Sequence, residues 1–387
     1  MTPPALKRTL NTPGLLHGSA DGHSGGATPG LIPNPEVKPT GDPRSTEVRE
    51  STGNAESCRP LPLPSACGAR GDAPRKRLNH GRKSDLTVWL GAHIGIAEGL
   101  AEAAVTGHAI GCEAIQIFSH SPQMWGAAPL DPANVAAFRE AVRVEGLRTC
   151  AVHQSYLPNL ASPKKPMLTR SRKSFVDELR RAELLGIPAL IFHPGAHLGE
   201  GVEAGLRRIV ESIDWAIAET PALRCRALLE NAAGQGSTLC ATFDELAWVL
   251  DHVSDRARVG VAIDTCHLFA SGVDFRTDDQ YSSVVKRLDA TVGLANVQAF
   301  HLNDSKGPLG SKLDRHENIG KGVLGVEGFR RILNDRHWDS TPGYLETPVE
   351  DDGYEAYVRD LATLRSLIAG APEPARPARG GPRRRAP

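Results

Sequence analysis

Apolar and polar positions alternate with two different periods along the middle of this chain. Short runs rich in Val, Ile, Leu and Phe lie at 87–93, 114–118, 148–153, 189–193, 226–230, 259–264, 297–301 and 344–346. Their length and content are those of buried strands. A loop follows each, and then apolar residues at i, i+3, i+4 spacing. Leu206, Ile209, Val210, Ile213 and Ile217 make one such helix face, Leu246, Val249 and Leu250 another, and Tyr357, Leu361 and Leu364 the last. Eight strand–helix repeats predict an α/β fold, a closed parallel (β/α)8 TIM barrel, which takes about 250 residues as one unit. A doubly wound open sheet is the alternative that the same pattern allows.

The flanks lack this pattern. Residues 1 to about 85 are dense in Pro, Gly, Ser and Thr and end in the basic runs Arg75-Lys76-Arg77 and Arg82-Lys83. Such a segment buries too little apolar surface to offset its ordering entropy, so a disordered extension is expected. The stretch 371–387, with Arg383-Arg384-Arg385, reads as a flexible basic tail, which leaves 86–370 for the barrel. Basic and acidic residues balance at 45 each. No global field recruits a polyanion, and attraction to phosphate has to be local. Seven cysteines, among them Cys112, Cys150, Cys225, Cys240 and Cys266, form no C-x-x-C pair. They fit reduced, buried thiols better than a disulfide framework or a zinc–thiolate site. No run approaches the roughly 18 apolar residues of a membrane span, and the polar amino terminus has no secretory pattern. A soluble, cytoplasmic protein is expected.

The reactive residues fall where strands end. His153, His193, Glu230, Asp264, His301 and Glu346 close six successive predicted strands. In a parallel barrel the carboxyl ends of all strands open on one face, where active sites are built. A single histidine there is more often a hydrogen-bonded structural residue, and a single carboxylate serves as readily to cap the next helix. Six in register exceed those readings, because so many buried charges are costly unless paired or metal-bound. His267 follows Asp264 by three positions, and Asp314-Arg315-His316 sets two more donors on one side of an extended segment. Five histidines and four carboxylates, with no thiolate, suit zinc, or manganese or iron, better than magnesium or calcium. Nine donors are too many for one ion. With one carboxylate bridging, they serve three and leave positions open. Three divalent ions outweigh four carboxylates by about two positive charges, which favours a phosphodiester in the crevice.

These residues stand in Val152-His153-Gln154-Ser155-Tyr156, Phe192-His193-Pro194-Gly195, Leu229-Glu230-Asn231, Ile263-Asp264-Thr265-Cys266-His267, His301-Leu302-Asn303-Asp304, Asp314-Arg315-His316 and Leu345-Glu346-Thr347, with Gly91-Ala92-His93, Gly234-Gln235-Gly236 and Gly320-Lys321-Gly322 at their places between and before them. In that order they make the chain resemble the endonuclease IV family of abasic-site endonucleases across about residues 88–370. The resemblance implies a zinc-dependent enzyme of base excision repair. It would cut the phosphodiester bond 5′ to an abasic site in duplex DNA, leaving 3′-hydroxyl and 5′-deoxyribose phosphate ends, and a 3′-phosphodiesterase activity stays open. It implies one zinc on His153, His193 and Glu230. A second would lie on the bridging Glu230 with Asp264, His301 and Glu346, and a third on His267, Asp314 and His316. A hydroxide held between metals would attack, with Glu346 orienting or deprotonating it.

Extruding an abasic nucleotide is cheap, because no base pair or stack is lost there. Tyr156 matches a family position that inserts into the duplex; packing on the barrel rim is the other reading of a loop aromatic. In Ser121-Pro122-Gln123-Met124-Trp125, some relatives carry arginine where this chain has Gln123. That departure bears on how the DNA stack is wedged and leaves the metals untouched. Lys306, Arg315 and Lys321 are candidate phosphate contacts or ordinary surface charges. A monomer is expected to suffice.

Two rivals share parts of this pattern. A metal-dependent sugar isomerase or epimerase has the same barrel and strand-end donors but generally needs one or two ions, so His267, Asp314 and His316 argue against it. A nucleic-acid-binding module with structural zinc would favour closed, cysteine-rich sites.

Overall fold

The computed structural model describes residues 87–349 and 353–369. The expected disordered extension over 1–85 and the basic tail over 371–387 lie outside the described residues.

The predicted repeats form, with small shifts at their ends. In chain order they run β1 (Trp89–Ile94), α1 (Leu100–Ala109), β2 (Ala114–Phe118), α2 (Pro132–Val144), β3 (Thr149–His153), α3 (Lys165–Leu185), β4 (Ala189–Phe192) and α4 (Val202–Ala218). Next come β5 (Arg226–Glu230), α5 (Phe243–His252), β6 (Val259–Asp264), α6 (Thr265–Ala270), α7 (Asp278–Thr291) and β7 (Val297–His301). The loop after β7 carries two short strands, β8 (Asp304–Ser305) and β9 (His316–Glu317), before α8 (Val326–Leu333), β10 (Pro342–Leu345) and α9 (Glu355–Ser366). The eight long strands close in the order β1-β10-β7-β6-β5-β4-β3-β2, every pair parallel. Closure rules out the doubly wound alternative.

Strand parity divides the core in two. In and just before β1, Val88, Leu90, Ala92 and Ile94 face outward and join the large cluster beneath the helices, with Leu206, Ile209, Leu246, Val249, Leu361 and Leu364. The inward positions form a separate layer across the lumen, made of Ala114, Ala151, Ile191, Leu228, Ala262, Ala299 and Tyr344. Gly91 completes this ring as register partner of both Ala114 and Tyr344. The ring is a packed floor on which anything placed higher in the lumen must rest.

Local chemistry sets the helix starts. Asp131 accepts from the Ala133 amide with Pro132 at the first helical position, and Thr277 with Gln280 forms a capping box. The long loop after β7 is pinned from inside: the Asp304 carboxylate accepts from the amides of Gly320, Gly322 and Gly325. Gly322 is required there, because a Cβ would collide with that carboxylate and with the Ser305 carbonyl. Cys112, Cys150, Cys225, Cys240 and Cys266 are free and buried, as expected. No helix among the described residues is long and apolar enough to cross a membrane.

At Gly91 a Cβ would run into the carbonyl oxygen of Ala114, in the neighbouring strand. Backbone cannot yield there as a flexible side chain would. Gly91→Ala should therefore lower stability by about 1–3 kcal/mol, the usual cost of overpacking. Thermal and denaturant unfolding measure it; an unchanged midpoint would show that the β1–β2 seam is looser than this spacing.

Candidate metal centre

Two residues beyond each member of the lumen floor, the side chain again points inward, and there the chemistry changes completely. Gly91, Ala114, Ala151, Ile191, Leu228, Ala262, Ala299 and Tyr344 give way to His93, Gln116, His153, His193, Glu230, Asp264, His301 and Glu346. Six of these were expected from strand ends. His193 and Glu346 sit one residue past β4 and β10 rather than within them.

Glu230 is the centre. Its carboxylate is 0% exposed, and its two oxygens face different partners. Oε2 lies 3.3 Å from His153 Nε2 and 3.7 Å from His193 Nδ1; Oε1 lies 2.9 Å from His301 Nδ1 and 3.2 Å from His267 Nδ1. The imidazoles adjoin one another: His153 is 5.3 Å from His193 and 5.6 Å from His301, and His267 is 5.8 Å from His193 and 5.5 Å from His316, between ring centroids.

Several rings have one nitrogen committed to a backbone carbonyl, which frees the other. His153 Nδ1 bonds Gln154 O at 2.7 Å, His267 Nδ1 bonds Asn231 O at 2.9 Å, and His316 Nδ1 bonds Glu346 O at 3.2 Å. Nε2 of His267 and of His316 are buried without a hydrogen bond among the described residues, although Asp314 Oδ1 stands 3.1 and 3.4 Å away. Buried nitrogens aimed at carboxylates and left unpaired fit a cation between them.

Asp264 does two jobs. One oxygen caps α6 by accepting from the His267 amide at 2.7 Å, as the capping alternative anticipated. The other accepts from Asn303 Nδ2 at 2.6 Å and lies 3.6 Å from His316 Nε2 and 3.9 Å from His301 Nδ1. Three donor sets converge within 4.8 Å: His153, Glu230 and His301; Asp264, His267 and His316; and Glu230, Asp264, His301 and Glu346. The third set is the group that the resemblance assigns to the second ion. In the other two, His301 stands where His193 was expected, and Asp264 where Asp314 was.

Charge is shared strongly inside this pocket. Burial alone would lower the His301 imidazole, yet Glu346 and Glu230 beside it raise it to about 9. His153 and His267 are likewise raised against burial, the first by Glu230, the second by Asp264 with Asp314 and Glu230. Burial opposes ionisation of Glu230 and Glu346, but the imidazoles hold both well below the usual carboxylate range. Asp314, also against burial, is brought to about 2 by His267, His316 and His193. His193, desolvated by burial, is lowered.

A cavity of about 410 Å3 opens over the donors, lined by Tyr156, Lys306, Arg315 and Pro348 with His153, His193, His267, Asp314, His316 and Glu346. Lys306 and Arg315 thus reach the site, with Lys306 also 3.8 Å from Glu317. Tyr156 is 65% exposed while its ring meets Phe118 edge-on at 5.6 Å, so it rests on the rim and projects from it. Gln123 and Lys321 are exposed and do not line this cavity. The loops bearing Gln123 and Tyr156 are both tied to α3. Arg181 donates to Ser119 O and Ala128 O, and Glu178 accepts from Ser119 Oγ at 2.6 Å and from the Ser155 amide at 3.4 Å.

Sequence reasoning missed His93, Gln116, Asn231 and Asn303 as parts of the site. Gln116 Nε2 donates to Glu346 Oε1 at 2.7 Å and lies 3.0 Å from His93 Nδ1, while its Oε1 lies 2.9 Å from His301 Nε2. Asn231 and Asn303 fasten Asp264 and the Glu346 amide. The available signal was an amide in an otherwise apolar strand, Ala114-Ile115-Gln116-Ile117-Phe118.

Comparison with known proteins agrees with this geometry. Residues 105–367 match the family model described as a xylose isomerase-like TIM barrel. The chain is 42% identical over 281 residues to "Probable endonuclease 4" of Chloroflexus aurantiacus, covering 73% of this chain and 98% of that protein. Endonuclease IV from Thermus thermophilus superposes with a TM-score of 0.64 at 35% identity, over 72% of this chain and 98% of that one. A D-tagatose 3-epimerase-like protein, with a TM-score of 0.56 at 16% identity over 72% of this chain and 96% of that one, shares the fold alone. Identity of this order along nearly the whole length of its relatives settles the family: the chain belongs to the endonuclease IV family, as a hydrolase of the AP-endonuclease type.

Proposed function

We propose that this protein hydrolyses the phosphodiester bond 5′ to an abasic site in duplex DNA, with three zinc ions, leaving 3′-hydroxyl and 5′-deoxyribose phosphate ends. The observation that carries the reading is the gathering of four imidazoles, those of His153, His193, His267 and His301, around the buried Glu230 carboxylate, with Asp264, Asp314, His316 and Glu346 beside them, under a cavity rimmed by Lys306 and Arg315. Residues 86–370 form the catalytic unit. All nine donors come from one chain, so a monomer suffices.

His153, His193 and Glu230 would hold one ion, Glu230 with Asp264, His301 and Glu346 a second, and His267, Asp314 and His316 a third. The two oxygens of Glu230, facing different imidazoles, support the bridging role. Bound ions would supply positive charge for the phosphoryl and departing oxygens and make water acidic enough to attack at neutral pH. The protein's own residues do the rest. Glu346, ionised and at the edge of the cavity, accepts a proton from the attacking water. Lys306 and Arg315 bind flanking phosphates, and Tyr156 offers an exposed ring to the gap left by the missing base. Gln123, on the neighbouring loop, is a further DNA contact, proposed on the resemblance alone. Asn303 donates to the Asp264 carboxylate, and Asn231 accepts from the Asp264 backbone amide, so the two hold that residue in place.

Purified protein incubated with a duplex carrying one abasic site should incise it once, on the 5′ side, and prior stripping of metal should abolish the cut. Intact duplex with metal-loaded protein, or epimerisation of a ketose instead, would refute the reading. Glu346→Gln should still bind the abasic duplex in a gel-shift assay while cleavage falls about 100- to 1,000-fold; undiminished turnover would remove Glu346 from the chemical step.

Metal loading should also depend on pH. His301, raised to about 9 by Glu346 and Glu230 against burial, still carries a proton at neutrality that an incoming ion must displace. Apparent zinc affinity of the metal-free protein should therefore rise as pH rises toward 9, with proton release on uptake. Calorimetry in buffers of different ionisation enthalpy measures this, and uptake without proton release would contradict it.

A further inference from the structure

Gln116 has no place in the ligand set, yet it touches two of its members. It is fully buried in β2, on the inward face shared with Ala114. Its amide lies between Glu346 Oε1, at 2.7 Å from Nε2, and His301 Nε2, at 2.9 Å from Oε1.

Donor and acceptor inventory fixes which way the amide points. An ionised carboxylate only accepts, so the NH2 end must face Glu346. The carbonyl then faces His301, and because a carbonyl also only accepts, His301 Nε2 must carry the hydrogen. With that hydrogen held on Nε2, the lone pair of a neutral His301 ring is on Nδ1. Nδ1 is the nitrogen that looks into the cluster, 2.9 Å from Glu230 Oε1, 3.3 Å from Glu346 Oε2 and 3.9 Å from Asp264 Oδ2. The same amide occupies Glu346 Oε1 and leaves Oε2 as the oxygen that faces His301. The second NH2 hydrogen points to His93 Nδ1 at 3.0 Å, so His93 braces the amide from behind. A flipped amide would set the carbonyl against a carboxylate and the NH2 against an N–H, which penalises the alternative on both sides.

We propose that Gln116 is a positioning residue of the metal centre, setting which atoms of His301 and Glu346 face the ion held by Glu230, Asp264, His301 and Glu346. The inference rests on the three-ion reading above and assigns that ion a support from the far side of the barrel. Partners of this kind commonly change metal affinity by about 10- to 100-fold.

The test counts metal rather than turnover. Wild-type protein, Gln116→Leu and Gln116→Glu are loaded with zinc and dialysed. Bound ions are then counted by mass spectrometry, and transfer of zinc to a coloured chelator is followed in time. Gln116→Leu removes both contacts; Gln116→Glu keeps an acceptor but loses the donor to Glu346. Both should surrender one ion per chain at about 10- to 100-fold lower chelator concentration than wild type, with the other two unchanged. A role confined to packing would lower the unfolding midpoint and leave the release profile alone, and that result overturns the proposal. If Gln116→Leu does not fold, Gln116→Glu decides, and wild-type release from it overturns the proposal equally. Wild-type protein that holds no zinc would overturn the three-ion reading itself, whereas normal wild-type loading with unaltered variants overturns only the role of Gln116.

Discussion

A carboxylate with no access to water at the middle of a barrel sets the terms for everything near it. Taking a charge such as Glu230 out of solvent costs several kcal/mol, and the cost persists unless opposite charge surrounds it in good geometry. Four imidazoles do so here, two on each oxygen. The other nitrogen of His153 is satisfied by a backbone carbonyl and that of His301 by Gln116, whereas Nε2 of His267 is left without a hydrogen bond facing Asp314. The polar layer is therefore a network resting on an apolar floor and incomplete at His267 and His316, carried mostly by strands and their first following residues. Such supports hold side chains more tightly than free loops do.

Much of this was legible because a strand repeats every two residues and a helix every 3.6. Eight alternations of the two periods gave the barrel, and the chemical break at strand ends gave six residues of the polar ring. The rule applied, however, was the last residue of each strand, and the ring obeys a different one: two positions beyond the lumen floor. The rules coincide in β3, β5, β6 and β7. They separate in β2, which runs on past the ring to Phe118, so Gln116 went unassigned; His93 ends the predicted run 87–93 yet was not counted among the donors. Barrel strands are staggered, with Gln116 level with Ala151 and Phe118 with His153, so one ring meets different strands at different distances from their ends.

Which side chains touch across the lumen was not legible from strand order, for a geometric reason. Sequence order gives neighbours around the wall, but the lumen is narrow enough for side chains of non-adjacent strands to touch across it. Gln116 and His301 meet although 185 positions separate them, and no local pattern announces that contact. The loop donors show the complementary case. Asp314 and His316 stood out as a motif, while the device that holds their loop, Asp304 gathering three glycine amides, joins residues up to 21 positions apart and is visible only once folded.

The electrostatics of the pocket link its metals to its proposed substrate. Glu230, Glu346 and Asp314 are all held ionised more firmly than free carboxylates, and the protein as a whole carries no net charge to draw in DNA. Without cations, a phosphodiester entering the 410 Å3 cavity would meet these acids, opposed only by imidazoles and by Lys306 and Arg315 at the rim. An uncharged ligand would be indifferent to such a field. A phosphate needs the acids neutralised and then exceeded. On the proposed three-ion reading, the donors outside the barrel strands, His267, Asp314 and His316, therefore bear most directly on the substrate: an ion held there would turn an acidic pocket into a site for an anion.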